Sequence, residues 1–176
     1  MKEAPVRKSI RLKKYDYSNA GYYFVTICVK GRHEMLGKAV VGATVPGRPC
    51  VSRIELSELG KHVDSAIAYY NANGIADFNK YVIMPNHIHL IIVIGAKTGD
   101  RRRSPLQGIV RNLKSYVTKQ AGFSPWQKSF HDHIIRDETE YLKICQYVNI
   151  LMTILQDGKK IVITMNKSLI LLCHLL

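Results

Sequence analysis

The sequence predicts an α+β fold, one antiparallel sheet with helices packed against it, and three observations carry that expectation. Segments rich in β-branched and aromatic residues alternate with segments whose apolar residues recur at helical spacing. Two of the extended segments, Asn79 to Met84 and His87 to Ile94, are separated only by Pro85-Asn86, which is the economical connection between antiparallel strands. The length, 176 residues, is that of one ordinary domain and too little for two with separate cores.

In chain order, Tyr22 to Lys30 (YYFVTICVK) has no Gly or Pro until Gly31 and reads as the first strand. Gly37 to Pro49 is rich in Gly and Pro and reads as a loop with room for a short hairpin. A helix is expected from about Glu55 to Ala72, because Leu59, Val63, Ala66, Ile67 and Tyr70 fall on one face and Asn73-Gly74 supplies a stop. The central hairpin follows, then a basic loop from Gly95 to Ser104. A second helix opens near Pro105, with Leu106, Ile109, Val110, Leu113 and Val117 as its apolar stripe and Arg111 and Lys114 on the other face. Phe130 to Arg136 reads as extended. A last helix is opened by Asp137, with Glu138 and Glu140 where carboxylates favour the helix dipole. The order β, α, β, β, α, β, α matches a ferredoxin-like βαββαβ antiparallel sheet with helices on one face and an added C-terminal helix.

Composition narrows the function. Hydrophobic residues at 47% and charged residues at 22% exclude a disordered or collagenous chain. The 26 Lys and Arg against 13 Asp and Glu give a net charge of +13, a surface that attracts polyanions. Arg7, Lys8, Arg11, Lys13 and Lys14 make residues 1–14 a basic arm with no apolar run behind it, unlike a secretory signal. The apolar stretch Ile161 to Leu176 is interrupted by Asn166 and Lys167, too short a run for a membrane span. Cys28, Cys50, Cys145 and Cys173 form no CxxC pair, which fits a reducing, cytoplasmic location better than a zinc knuckle or disulfide framework.

The sharpest chemical signal is His87-Ile88-His89. In a strand, residues i and i+2 share a face, so both imidazoles project together, a geometry that suits a divalent cation or, more plainly, a half-exposed strand start. A second HxH, His131-Asp132-His133, has a charged residue where a core residue is expected; His133 and Arg136 there would contact phosphate or bond within the fold. Arg101, Arg102 and Arg103 lead into the helix that carries Arg111 and Lys114, and phosphate contact is the favoured reading of this basic run. Tyr15, Tyr17 and Trp126 would either stack on unpaired bases or pack in the core. In the last helix, Tyr141, Ile144, Cys145 and Val148 form the core stripe and Tyr147 lies at its border.

Several segments taken together carry a resemblance. They are YYFVTICV, KYVIMPNHIHLII, SPLQGIVRNLKSYVTK and WQKSFHDHIIRDETEYLKICQYV, and over about Tyr15 to Val148 the chain resembles the REP-associated tyrosine transposases among the single-tyrosine HUH nucleases. The resemblance implies a catalytic domain over residues 15–149 that cuts and rejoins single-stranded or hairpin DNA, with Tyr147 as nucleophile and His87 and His89 holding Mg²⁺ or Mn²⁺. It leaves monomer and homodimer both open. The family pattern places a polar third ligand one turn after the tyrosine, and here that position is Leu151, which has no donor atom. From residue 150 to 176 the chain departs from the pattern. A divergent tail implies an alternative, a degenerate transposase that binds hairpin DNA without cutting it. A structured-RNA-binding domain is the third reading.

Overall fold

A computed structural model describes residues 15–17, 19–41, 51–95 and 105–156. Its elements are β1 (Gly21–Cys28), β2 (Gly37–Val41), β3 (Val51–Leu56), α1 (Glu58–Ala72), β4 (Asp77–Met84), β5 (His87–Ile94), α2 (Pro105–Ala121), β6 (His131–Ile135) and α3 (Glu138–Gln156). The main sheet has the order β4-β5-β1-β6, every pairing antiparallel, which is the ferredoxin-like arrangement expected.

The alternation of residues along the two central strands divides the interior into two layers. Tyr23, Val25 and Ile27 of β1 and Ile88, Leu90, Ile92 and Ile94 of β5 face α1 and α2, meeting Val63 and Ile67 of one helix and Leu106, Val110, Leu113 and Val117 of the other. Phe24 and Ile91 point the other way and join Val82 and Ile135 beneath Ile144, Cys145, Tyr147 and Val148 of α3. The added helix α3 therefore packs on the opposite face from α1 and α2. It begins where the Asp137 carboxylate accepts a hydrogen bond from the Glu140 amide at 2.8 Å, and it passes residue 149 without a break.

Three boundaries differ from expectation. The Gly37 to Pro49 loop contains β2, and the helix assigned from Glu55 begins at Glu58, because Glu55 and Leu56 are paired with Lys38 and Gly37 in the β2–β3 ladder. Ser57 caps the helix instead: its hydroxyl accepts from Gly60 N at 3.1 Å and donates to the Met35 carbonyl at 2.6 Å. Gly60 is required at this junction, since a Cβ there would lie 2.0 Å from the Leu36 carbonyl oxygen. The first strand ends at Cys28, not Lys30, where Lys30 to Arg32 form a short 3₁₀ turn.

The aromatics left open between stacking and packing are largely structural. Tyr17 and Trp126 are buried in the α1/α2 core, Tyr15 packs against it, and the Trp126 indole N–H donates to the Lys114 carbonyl at 3.0 Å. Among the described residues no helix is long and apolar enough to cross a membrane.

Candidate active site

The site forms at one end of the central strands, on the α3 face. His89 sits directly across from Thr26 of β1, and His87 across from Cys28. Both imidazoles therefore lie on the face opposite Ile88, as the spacing predicts. The Pro85-Asn86 turn that delivers them is clamped from outside. Val29 N donates to the Asn86 carbonyl at 2.9 Å, and Leu36 N donates to the Pro85 carbonyl at 2.8 Å.

Each histidine is oriented by a neighbour. His87 Nδ1 lies 2.6 Å from Asn86 Oδ1, an oxygen that only accepts, so the ring proton belongs on Nδ1 and Nε2 carries the lone pair. His89 Nδ1 lies 2.8 Å from Thr26 Oγ1, and its ring stacks on Phe24 at 5.2 Å. The two Nε2 atoms are 3.1 Å apart. Burial pushes the His87 pKa down to about 4, helped by the Arg32 guanidinium, and pushes His89 down to about 3, helped by His87. Both rings are neutral at neutral pH.

Two nitrogens ligating one cation at right angles, each at about 2.1 Å, stand about 3.0 Å apart. The observed separation therefore fits two adjacent positions of a divalent ion. The remaining positions are poorly furnished: among the described residues no group of three or more His, Cys, Asp or Glu is placed to hold a metal. Leu151 lines the same cavity, where it offers only methyl groups.

Tyr147 completes the arrangement. Its hydroxyl oxygen is 3.4 Å from His89 Nε2 and its ring meets the His89 ring edge-on at 5.6 Å. The phenol, both imidazoles, Thr26, Asn86 and Arg32 line one cavity of about 240 Å³. Tyr141 instead bonds Asn79 through its hydroxyl at 2.7 Å, which is a structural use.

The other predicted residues are dispersed. Arg7, Lys8, Arg11, Lys13, Lys14, Arg101, Arg102 and Arg103 lie outside the described residues. Arg111 is exposed on α2. Lys114 is not a solvated cation on the outer face of α2. Its ammonium donates to the carbonyls of Gln127 and Ser129 at 2.8 and 2.9 Å, and burial lowers its pKa. Arg136 is exposed, and its backbone N–H donates to Glu140, whose carboxylate also takes His133 Nε2 at 2.7 Å. The second HxH is thus engaged within the fold through His133. Thr26, Asn86 and Arg32 were not singled out from sequence. Asn86 adjoins the first histidine and was within reach of such a reading, whereas Thr26 and Arg32 have no local signal.

No protein-family model matches the chain. An uncharacterized protein of Haemophilus influenzae is 33% identical over 167 residues, covering 81% of this chain and 86% of that protein. A REP-associated tyrosine transposase bound to a REP hairpin superposes with a TM-score of 0.56 at 22% identity, over 80% of this chain and 71% of its own. The chain belongs to one family with the Haemophilus influenzae protein, and its fold is that of the REP-associated tyrosine transposases.

Proposed function

We propose that the protein is a single-tyrosine DNA transposase that cuts and rejoins single-stranded, REP-like hairpin DNA. The observation that carries this reading is the convergence of the Tyr147 hydroxyl and two neutral imidazoles in one cavity. The REP hairpin bound by the structural neighbour supports the choice of substrate.

In the proposed step Tyr147 gives up its phenolic proton and its oxygen bonds to phosphorus as the P–O3′ bond breaks. The released 3′ oxygen takes up a proton. The products are a 5′-phosphotyrosine and a free 3′-OH, and rejoining reverses the step. His87 and His89 would hold Mg²⁺ or Mn²⁺, which when bound would supply positive charge to stabilise the phosphate undergoing transfer. Thr26 and Asn86 hold the two rings so that each Nε2 faces the cavity, and Phe24 and α3 keep water from the inner side of His89.

The test is incubation of the full chain with a labelled single-stranded REP-like hairpin, with and without Mn²⁺, followed by a denaturing gel. A cation-dependent covalent adduct that disappears in Tyr147→Phe is expected; an adduct that persists in that variant would sink the assignment. Leu151 in the cavity favours a second reading, a degenerate transposase that binds hairpin DNA without cutting it. Binding without an adduct in the parent chain, with an adduct gained in Leu151→Asn, is its signature.

A further inference from the structure

Besides Arg32 and the two imidazoles, the histidine cavity is lined by Thr26, Cys28, Met84, Asn86, Tyr147 and Leu151, none of them a Lys or Arg. The nearest fixed cation is Arg32, which lines the cavity. Arg32 and the preceding Gly31 both have left-handed backbones, with φ of 55° and 67°. An L side chain adopts that conformation at a cost, and such residues concentrate where a side chain must be aimed.

The turn that carries Arg32 also borders a second concavity. Lys30, two residues earlier, lines a groove of about 440 Å³ with Ser124, Trp126 and Lys128. The turn is fixed on both sides: Lys30 N donates to the Pro125 carbonyl at 2.7 Å, Gln127 N to the Cys28 carbonyl at 2.8 Å, and Arg32 N to the Val29 carbonyl at 3.0 Å. Lys114 lines the same groove and ties its wall together through the carbonyls of Gln127 and Ser129. Among the described residues from 78 to 131 there is no Asp or Glu, so the cations of α2 and the groove segment have no carboxylate beside them in sequence. Glu34, two residues past Arg32, is the nearest carboxylate in sequence.

We propose that a single strand of DNA crosses the Lys30–Arg32 turn, with Arg32 gripping the phosphate at the histidine pair and Lys30 and Lys128 gripping phosphates further along the groove. This inference rests on the DNA-cutting reading above and names the path its substrate takes. Phosphates held at fixed points on both sides of a rigid turn set which bond faces Tyr147, while bases remain free to differ.

The experiment measures affinity by fluorescence anisotropy, with the full chain carrying Tyr147→Phe so that no adduct forms. Two probes are used, a REP-like hairpin with a single-stranded flank and the same hairpin trimmed flush. Arg32→Ala and the double variant Lys30→Ala/Lys128→Ala should each weaken the flanked probe roughly fivefold per charge removed. The slope of log affinity against log salt should fall by about 0.7 per lost contact, and binding of the flush probe should not change. Lys38→Ala, at an exposed position on β2, is the control and should alter neither probe. Equal losses on both probes, or losses no greater than the control, overturn the path. Arg32→Gly separates recognition from structure: glycine suits φ of 55°, so Tm should hold or rise while flanked affinity falls as in Arg32→Ala. A fall in Tm of several degrees would make Arg32 a structural residue and overturn its role. If the parent chain binds neither probe, the path and the DNA-cutting reading fail together. If it binds the flanked probe through these residues, yet the chain with Tyr147 forms no adduct, the cutting reading fails and the path stands.

Discussion

The two faces of the sheet are built from the same strands and differ in kind. Facing α1 and α2, the inward residues of β1 and β5 form an unbroken apolar surface from Tyr23 to Ile27 and from Ile88 to Ile94. Facing α3, the same strands place Thr26 at 3% and His89 at 1% exposure, the two buried polar residues among those described. Burying polar groups is unfavourable unless they are paired, and these two are paired with each other. The first face therefore packs the main core, and the second carries the candidate site. The lesson is that a functional site on a two-layer sheet is found by asking which face has given up apolar area.

Three predictions sharpen or break that contrast, beginning with the largest effect. Leu90→Ala on the apolar face should cost about 2–5 kcal/mol of stability by opening a cavity between β5 and the α1/α2 layer, measured by denaturant unfolding. A loss below about 1 kcal/mol would mean that this face is not the tight one.

The second concerns acid. His87 and His89 have folded pKa values lowered to about 4 and about 3, below the value near 6.5 expected in the unfolded chain. The unfolded state thus binds more protons between those limits. The stability the neutral pair contributes is fully present above about pH 6.5 and is lost as pH falls through 4 to 3. Tm measured from pH 7 to pH 4 should drop more steeply in the parent than in the His87→Gln/His89→Gln chain. Parallel curves would show that the α3 face carries no acid-sensitive pair.

The third and smallest concerns Thr26. Thr26→Val keeps the shape but removes the hydroxyl that meets His89 Nδ1, and Mn²⁺ affinity by calorimetry should weaken about tenfold. The ¹⁵N shifts of the His89 ring should change in the cation-free protein as well. Thr26→Ser, which keeps the hydroxyl, should restore both.

Much of the fold was legible because its signals are local. The apolar stripe of α2, the Pro105 start, the Pro85-Asn86 hairpin and the Asp137 cap each depend on residues within a turn or two of one another. The start of α1 was misplaced because Glu55 and Leu56 suit a helix by propensity and lie in β3 only through pairing with Lys38 and Gly37. The contacts of Lys114 are non-local for a similar reason. Its position on the helix wheel is outward, but the segment from Gln127 to Ser129 folds over it and its carbonyls take the ammonium.

By itself the sequence determined the order of the four main-sheet strands and the three helices, though not the β2–β3 hairpin, together with the basic charge and the placement of His87 and His89 on one face, because alternation with period two depends only on neighbouring residues. Only the tertiary structure decided that Thr26 stands behind His89 and how closely the Tyr147 hydroxyl approaches the same ring. Those contacts join residues 58 and 63 positions apart. They arise from strand register and from the packing of α3 across the sheet, and neither is encoded in any short stretch of the chain.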